Sequence, residues 1–445
     1  MFPSRAREAY EAYLEGYSPD RFLEFYNALA GELNLFANPD RAIPISPVPL
    51  LLDRSHEEVF SRLIGLFWRV LEDKRYRQLS AERIPPPLQP ALQEGARPAM
   101  DFAGNGSIGC IDLHLVGGVP RVVEFMVLPP GMVGIYPGML ERYGEYLRTL
   151  VPGCSPRIFL EGADRWSCED LMHRQVVGEG REGRFAIVDW EPERQITYGE
   201  FLYTTDAVRS RFGVEGLVAD PREVVWGQGG VSIRGLPVDR ILNRLTLVDW
   251  IANLHALGEY TRILRERPQI FVYHPYCWYL GDKFSLAVLS DPAALEQMDI
   301  SEMDRRRLAE VLPATVHLAD YADADTGRVN ARRLTDRLGP PGQIVLKPLS
   351  SHASKGVVFG PVDTPTMARL EKVLEGIDPA QYVAMKLAPV PEIVVPRGGG
   401  EREVWKSDVR IFALGGRFLF AGGRTYVGDF TNQTPCRGFA PLYFI

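Results

Sequence analysis

Apolar and aromatic side chains recur at mixed three- and four-residue spacings over residues 6–26, and more cleanly over 56–71, which predicts helices in the first 80 residues. Between these stretches RAIPISPVPLLL holds three prolines and reads as an extended connector. IPPPLQP (84–90) reads as a linker before a new unit. From residue 108 the period shortens to two. IGCIDLHLV and VPRVVEFMV flank Gly117-Gly118 and predict a β-hairpin, with a helix following over 138–150.

RFAIVDW (184–190), a helical stretch near 199–211, GVEGLVAD (213–220), VSIRG (231–235) and VDRILNRL (238–245) come next. That alternation predicts a small α/β unit with a largely parallel sheet. From about 281, helix DKFSLAVLSD, strand QIVLK, helix MARLEKVLEGI and strand YVAMKLAPV lead to a second hairpin, DVRIFALGGRFLFAGG, turning on Gly415-Gly416. PRGGGERE (396–403) reads as a mobile loop. The pattern holds no internal repeat, and 445 residues leave room for two or three domains.

Whether Asp112 and Glu124 share a face of the first hairpin depends on its turn. A two-residue turn at Gly117-Gly118 puts the carboxylates on opposite faces. A three-residue turn, Gly117-Gly118-Val119, sets them directly opposite each other, with Ile111, Leu113, Leu115, Val123 and Phe125 all on the other face. The cleaner apolar face favours the three-residue turn. Two acids about 5 Å apart repel unless neutralised, and a divalent cation with oxygen ligands would neutralise them. Two solvated acids on an exposed sheet face are the alternative.

Lys347 ends QIVLK ahead of SSHASKGVVFG, a loop of small residues whose backbone N–H groups can approach phosphate while the lysine adds a point charge. The loop does not match GxxxxGK[ST], so no P-loop is indicated, and a plain turn is the alternative. Asp408 and Arg410 share a face of DVRIFAL, and Arg424 follows on the next strand. An arginine fork can brace a phosphoryl group or a carboxylate; a surface Asp–Arg pair is the alternative. GNGSIG (104–109) precedes a strand instead of opening a helix, so it is not a dinucleotide fingerprint. DYADADTG (320–327) lacks the spacing of a calcium loop, and His274 and Cys277 read as packing residues.

Composition narrows the classes. With 46% hydrophobic and 24% charged residues the chain is an ordinary globular one. Its net charge of −7 excludes a general basic field for nucleic acid or acidic lipid. The five cysteines form no CxxC pair, which fits a reducing compartment. No run of 18 apolar residues predicts a membrane span, and MFPSRAREAYEAYLEGY lacks the apolar core of a signal peptide, so a cytoplasmic protein is expected.

In order and spacing these segments resemble the circularly permuted ATP-grasp proteins, a group that includes glutathionylspermidine synthase. DLHLVGGVPRVVEFMVLPPGM is similar to that family's aspartate, strand, E-x-N and proline-glycine turn. FAIVDW, GVEGLVADP and GLPVDRILNR resemble its α/β domain preceding the ATP-binding half. GDKFSLAVLSD, VLKPLSSHASKGVVFG, YVAMKL and DVRIFALGGRFLFAGGRT follow in the ATP-grasp order. The likeness spans about residues 100–440, and more loosely 35–75.

The resemblance implies a mixed α+β and α/β fold with a helical region over 1–90 and a metal-bearing hairpin segment over 91–150. An α/β domain over 151–280 and nucleotide-binding subdomains over 281–445 would complete it. It implies ATP and Mg2+ as cofactors. Lys283 and Lys347 would contact phosphates or adenine, and Ser354, Lys355 and Gly356 would lie in the loop closing over the triphosphate. Met385, Lys386 and Leu387 would form the hinge whose backbone reads adenine. Asp112 and Glu124 would hold magnesium, and Arg410 or Arg424 would steady the transferred phosphoryl group. Where the family has Asn two residues after the glutamate this chain has Met126, and a thioether is a poor magnesium ligand. Water, a phosphate oxygen or Asn432 are the candidate replacements, and His114 lies on the same face.

The expected activity is ATP-dependent joining of a small-molecule or peptide carboxylate to an amine through an acyl phosphate, releasing ADP and phosphate. No nucleic-acid or membrane partner is expected. The alternatives are a catalytically impaired nucleotide-binding module and a small-molecule kinase.

Overall fold

The computed structural model describes residues 5–38, 40, 42–83, 88, 108–128, 130–157, 183–349, 355–398, 400–428 and 437–445. Helices α1 (Arg5–Gly16) and α2 (Pro19–Glu32) meet at Ser18, whose hydroxyl accepts from the Arg21 N–H and caps α2 ahead of Pro19. α3 (Ser55–Glu72) buries Phe60, Leu63, Ile64, Phe67 and Leu71, the stripe that its sequence spacing predicts. The proline-rich connector, with Pro44, Pro47 and Pro49, precedes an edge strand, β1 (Leu50–Leu52).

β1 belongs to a seven-stranded sheet with β2 (Ile108–Val116), β3 (Val119–Met126), β14 (Glu392–Gly398), β15 (Glu401–Leu414), β16 (Arg417–Tyr426) and β17 (Arg437–Phe444). The order is β1-β17-β16-β15-β2-β3, with β14 also on β15. β2 pairs with β15, Leu113 opposite Val409 and Asp112 opposite Arg410. A hairpin from the first third of the chain therefore completes a sheet built by its last strands. One face packs against α3 through Ile111, Leu113, Val122, Phe125 and Ile411, and Phe67 meets Phe125 edge-on with ring centres 4.9 Å apart. The other face buries Cys110, Phe412 and Phe420 against Tyr136 of α4 (Tyr136–Leu150). The described residues of PRGGGERE, expected as a loop, instead lie at the end of the β14–β15 hairpin, with Val395 opposite Glu403 and Gly398 opposite Glu401, and Gly399 lies outside the described residues. Pairing with the long β15 overrides the weak strand preference of its glycines.

The α/β unit is as the alternation predicts, a parallel sheet in the order β5-β4-β9 with β4 (Phe185–Val188), β5 (Gly216–Ala219) and β9 (Arg240–Asn243). α5 (Tyr198–Phe212) connects β4 to β5. VSIRG does not join that sheet. It lies in a separate meander of β6 (Val224–Gly227), β7 (Gly230–Ile233) and β8 (Leu236–Pro237).

α6 (Lys283–Leu289), capped by the Asp282 side chain, packs on β3 and on a four-stranded antiparallel sheet. That sheet has the order β10-β13-β11-β12, with β10 (Thr315–His317), β11 (Ile344–Pro348), β12 (Val358–Phe359) and β13 (Tyr382–Lys386). α7 (Ala331–Leu338) and α8 (Met367–Leu374) cover it around Leu334, Leu346, Leu370 and Ala384. The linker 84–90, Leu88 apart, and residues 104–107 of GNGSIG lie outside the described residues. Among the described residues no helix is long and apolar enough to cross a membrane.

Candidate functional site

Gly117 and Gly118 both adopt positive φ, 58° and 82°, and form a two-residue turn with Val116 opposite Val119. This corrects the expected three-residue turn. The two-residue register alone would send Glu124 to the α3 side of the sheet. One extra residue, Val123, bulges out between the Leu113–Val122 and Asp112–Glu124 pairs and returns Glu124 to the face of Asp112. Val122, not Val123, therefore enters the apolar face. The second hairpin repeats the device. Gly415 and Gly416 make the turn, Leu414 pairs with Arg417, and a bulge at Leu419 brings Arg424 opposite Asp408.

On the shared face the charged side chains form a chain. Arg410 donates through Nε and Nη2 to the two oxygens of Asp112, each at 2.6 Å. Arg424 donates through Nη2 to Asp112 Oδ2 at 2.9 Å and to Asp408 Oδ2 at 2.6 Å, and through Nε to Asp408 Oδ1 at 3.1 Å. Asp112 is 1% exposed and Arg410 8%. Burial alone would raise the pKa of Asp112, but the two guanidinium groups outweigh it and hold the carboxyl at about 2. Opposite Arg410 stands Gly422, where a Cβ would fall 2.3 Å from the Tyr136 ring. The Tyr136 hydroxyl donates to Gly423 O at 3.0 Å and lids that part of the face.

The four-stranded sheet reaches the same place from the other side. Lys347 on β11 donates to Val123 O at 3.1 Å, on the residue that the bulge leaves unopposed. Burial lowers its pKa to about 8, with Lys283 adding to the effect and Glu124 and Asp112 opposing it. Lys283, the first residue of α6, lies 3.4 Å from Glu124 Oε1. Arg83 braces the Asp282 cap beside it at 2.6 and 2.7 Å. The structure thus brings together Asp112, Glu124, Lys283, Lys347, Arg410 and Arg424.

The other predicted residues lie around this centre. Met385 is buried in β13, between Thr315 and Val345. The N–H groups of Lys386 and Leu387 are taken by Ala314 O and Gln343 O, at 2.8 and 2.7 Å. Lys386 and Leu387 line a cavity of about 830 Å³ together with Val116, Val119 and Leu312, a volume typical of small-molecule sites. Lys355 is exposed, and Gly356 accepts from the Tyr382 hydroxyl at 3.4 Å. Ser354 and Asn432 lie outside the described residues. Met126 stands opposite Cys110. His274 and Cys277 are buried, as packing residues are, and burial alone moves the His274 pKa down to about 4.

Sequence reasoning missed Glu200. Its buried carboxylate accepts from the Met132 and Gly134 N–H groups, at 2.8 and 2.9 Å, and pins the turn after β3 in which Met132 adopts φ 77°. Nothing in the surrounding helical pattern sets Glu200 apart.

No protein-family model and no curated protein matches the chain. Solved structures do resemble it. A putative γ-glutamylcysteine synthetase from Methylobacillus flagellatus aligns over 81% of this chain and 84% of its own, at 11% identity and a TM-score of 0.39. A glutathione synthetase-like effector from Globodera pallida aligns over 96% of this chain and 98% of its own, with 13% identity and a TM-score of 0.54. The chain shares the overall fold of that effector.

Proposed function

We propose that this chain is an ATP-dependent ligase that joins a carboxylate to an amine, with Lys283, Lys347, Arg410 and Arg424 receiving the nucleotide and the transferred phosphoryl group. The observation that carries this reading is the meeting of Lys347 and Lys283 with the Asp112–Glu124 hairpin, in a fold shared with a glutathione synthetase-like effector. The acid-bearing hairpin precedes the four-stranded sheet in the chain, which supports a circularly permuted ATP-grasp arrangement.

In this chemistry a carboxylate oxygen of the substrate attacks the γ-phosphorus and the bond to ADP breaks. The amine then attacks the acyl carbon and phosphate leaves. The chain contributes position and charge rather than a nucleophile. The lysine ammonium groups offset phosphate charge, and the arginine forks brace the phosphoryl oxygens. The backbone of the hinge over Met385, Lys386 and Leu387 reads the adenine edge, and Ser354, Lys355 and Gly356 close over the phosphates.

Magnesium, which the ATP-grasp resemblance implies, takes about six oxygen ligands in a near-octahedral array. The residues present do not fit an ion held jointly by Asp112 and Glu124. Both oxygens of Asp112 already accept from guanidinium groups, and Met126 offers sulfur.

Incubation with ATP, Mg2+ and panels of carboxylates and amines is expected to release ADP only when both substrates are present. ATP binding without ADP release from any pair would leave a nucleotide-binding module. A phosphorylated product that persists without an amine would make the protein a kinase.

A further inference from the structure

We propose that Asp112 is a positioning residue, the buried counter-ion that fixes Arg410 and Arg424 on the shared face of the sheet, and not a ligand of a metal ion. The inference rests on the nucleotide reading above only for what the two arginines meet.

Asp112 and Glu124 face each other across the hairpin, yet their surroundings differ. Glu124 has a side chain 36% exposed and, among the described residues, one ion-pair contact, with Lys283 at 3.4 Å. Asp112 is enclosed and receives three N–H donors on its two oxygens. The repulsion that opposed acids create is therefore relieved separately, by two arginines on one acid and a lysine on the other. A divalent ion on Asp112 would either sit against both guanidinium groups or displace one of them. Displacement would strand an arginine that is nine-tenths buried, the costly case for buried charge.

Sheet register makes the arrangement rigid. Arg410 lies directly opposite Asp112, and Arg424 directly opposite Asp408. Asp408 holds Arg424 from the far side, so acid and arginine alternate along the chain Asp408–Arg424–Asp112–Arg410. Among the described residues the Nη1 group of each arginine has no hydrogen-bond partner, while Nε and Nη2 are engaged. Each fork is thus anchored on one edge with its remaining donors left for an anionic ligand.

The test is calorimetric titration of ATP into the wild type and the Asp112→Asn and Glu124→Gln variants of the full chain, once in EDTA and once in excess Mg2+. Asp112→Asn is expected to weaken ATP binding about tenfold or more by the same factor in both conditions. Glu124→Gln, which removes the acid paired with Lys283, is the control for loss of a charge on the same face. An Asp112→Asn protein that binds metal-free ATP as the wild type does, and loses only the increment from Mg2+, overturns the proposal. A second measurement does not need the nucleotide. In chemical unfolding, the loss of stability in Asp112→Asn combined with Arg410→Gln is expected to be smaller than the sum of the single losses; additive losses overturn the proposal. If Asp112→Asn alone does not fold, the double variant is expected to recover folding, and failure to do so counts against the proposal. A wild type that binds no ATP in either condition overturns the ligase reading instead, and the unfolding cycle then decides the role of Asp112.

Discussion

At the scale of single residues, arginine partners hold Asp112 ionised, whereas burial dominates at Asp189, just past β4, and raises its pKa from 3.8 to about 7, with Arg244 pulling the other way. The folded chain keeps this proton up to about pH 7, whereas the unfolded chain releases it near 3.8. The folded state binds more protons between those values, so stability falls as pH rises through that window and the full penalty is present above it. Asp189→Asn carries no ionised form, and its Oδ1 can still accept from the Trp190 N–H. Its advantage over the wild type is expected to grow from about pH 4 to about pH 7 and then level off, at no more than on the order of 4 kcal/mol. Urea midpoints measured across that range check it; an advantage independent of pH would show that Asp189 does not titrate on unfolding.

At the scale of elements, two hairpins place the site by the same means. Each turns on a glycine pair, and each has one bulged residue on its return strand, Val123 or Leu419. A one-residue change within a strand ordinarily moves every later side chain to the other face. Deletion of Val123 is expected to be an exception, because the next residue to pair with Asp112 is then Glu124 in a regular ladder. The deletion variant is expected to fold and to melt within a few degrees of the wild type, a change of about 1–2 kcal/mol. Loss of the cooperative melt would mean that Val123 is a paired strand residue. The turn type could not be read from the sequence, since Gly117-Gly118 suits both turns and the apolar pattern constrains only which face Glu124 takes. The bulge meets that constraint with the shorter turn.

At the scale of the whole molecule, the central sheet joins strands from opposite ends of the chain. Asp112 and Arg410 are paired across 298 residues. A fragment of residues 281–445 would keep the four-stranded sheet but expose the edge of β15 that β2 covers. It is expected to show no cooperative unfolding in urea. A sharp two-state transition in that fragment would show that its sheet closes without the hairpin.

The helices of the first 80 residues, both glycine-centred hairpins and the parallel α/β unit were legible because each follows from local periodicity and from turn residues a few positions apart. That Asp112 and Glu124 share a face was legible too, since Ile111, Leu113 and Phe125 leave the acids no other side. The partners of those acids were not. Arg410 and Arg424 reach Asp112 only because β15 and β16 pair beside β2, and Lys283 reaches Glu124 only because α6 packs on β3. Sequence by itself determined which side chains turn inward along each element. Tertiary structure decided which of them meet, because strand register and buried ion pairs are set by contacts between segments far apart in the chain, and local spacing carries no record of those contacts.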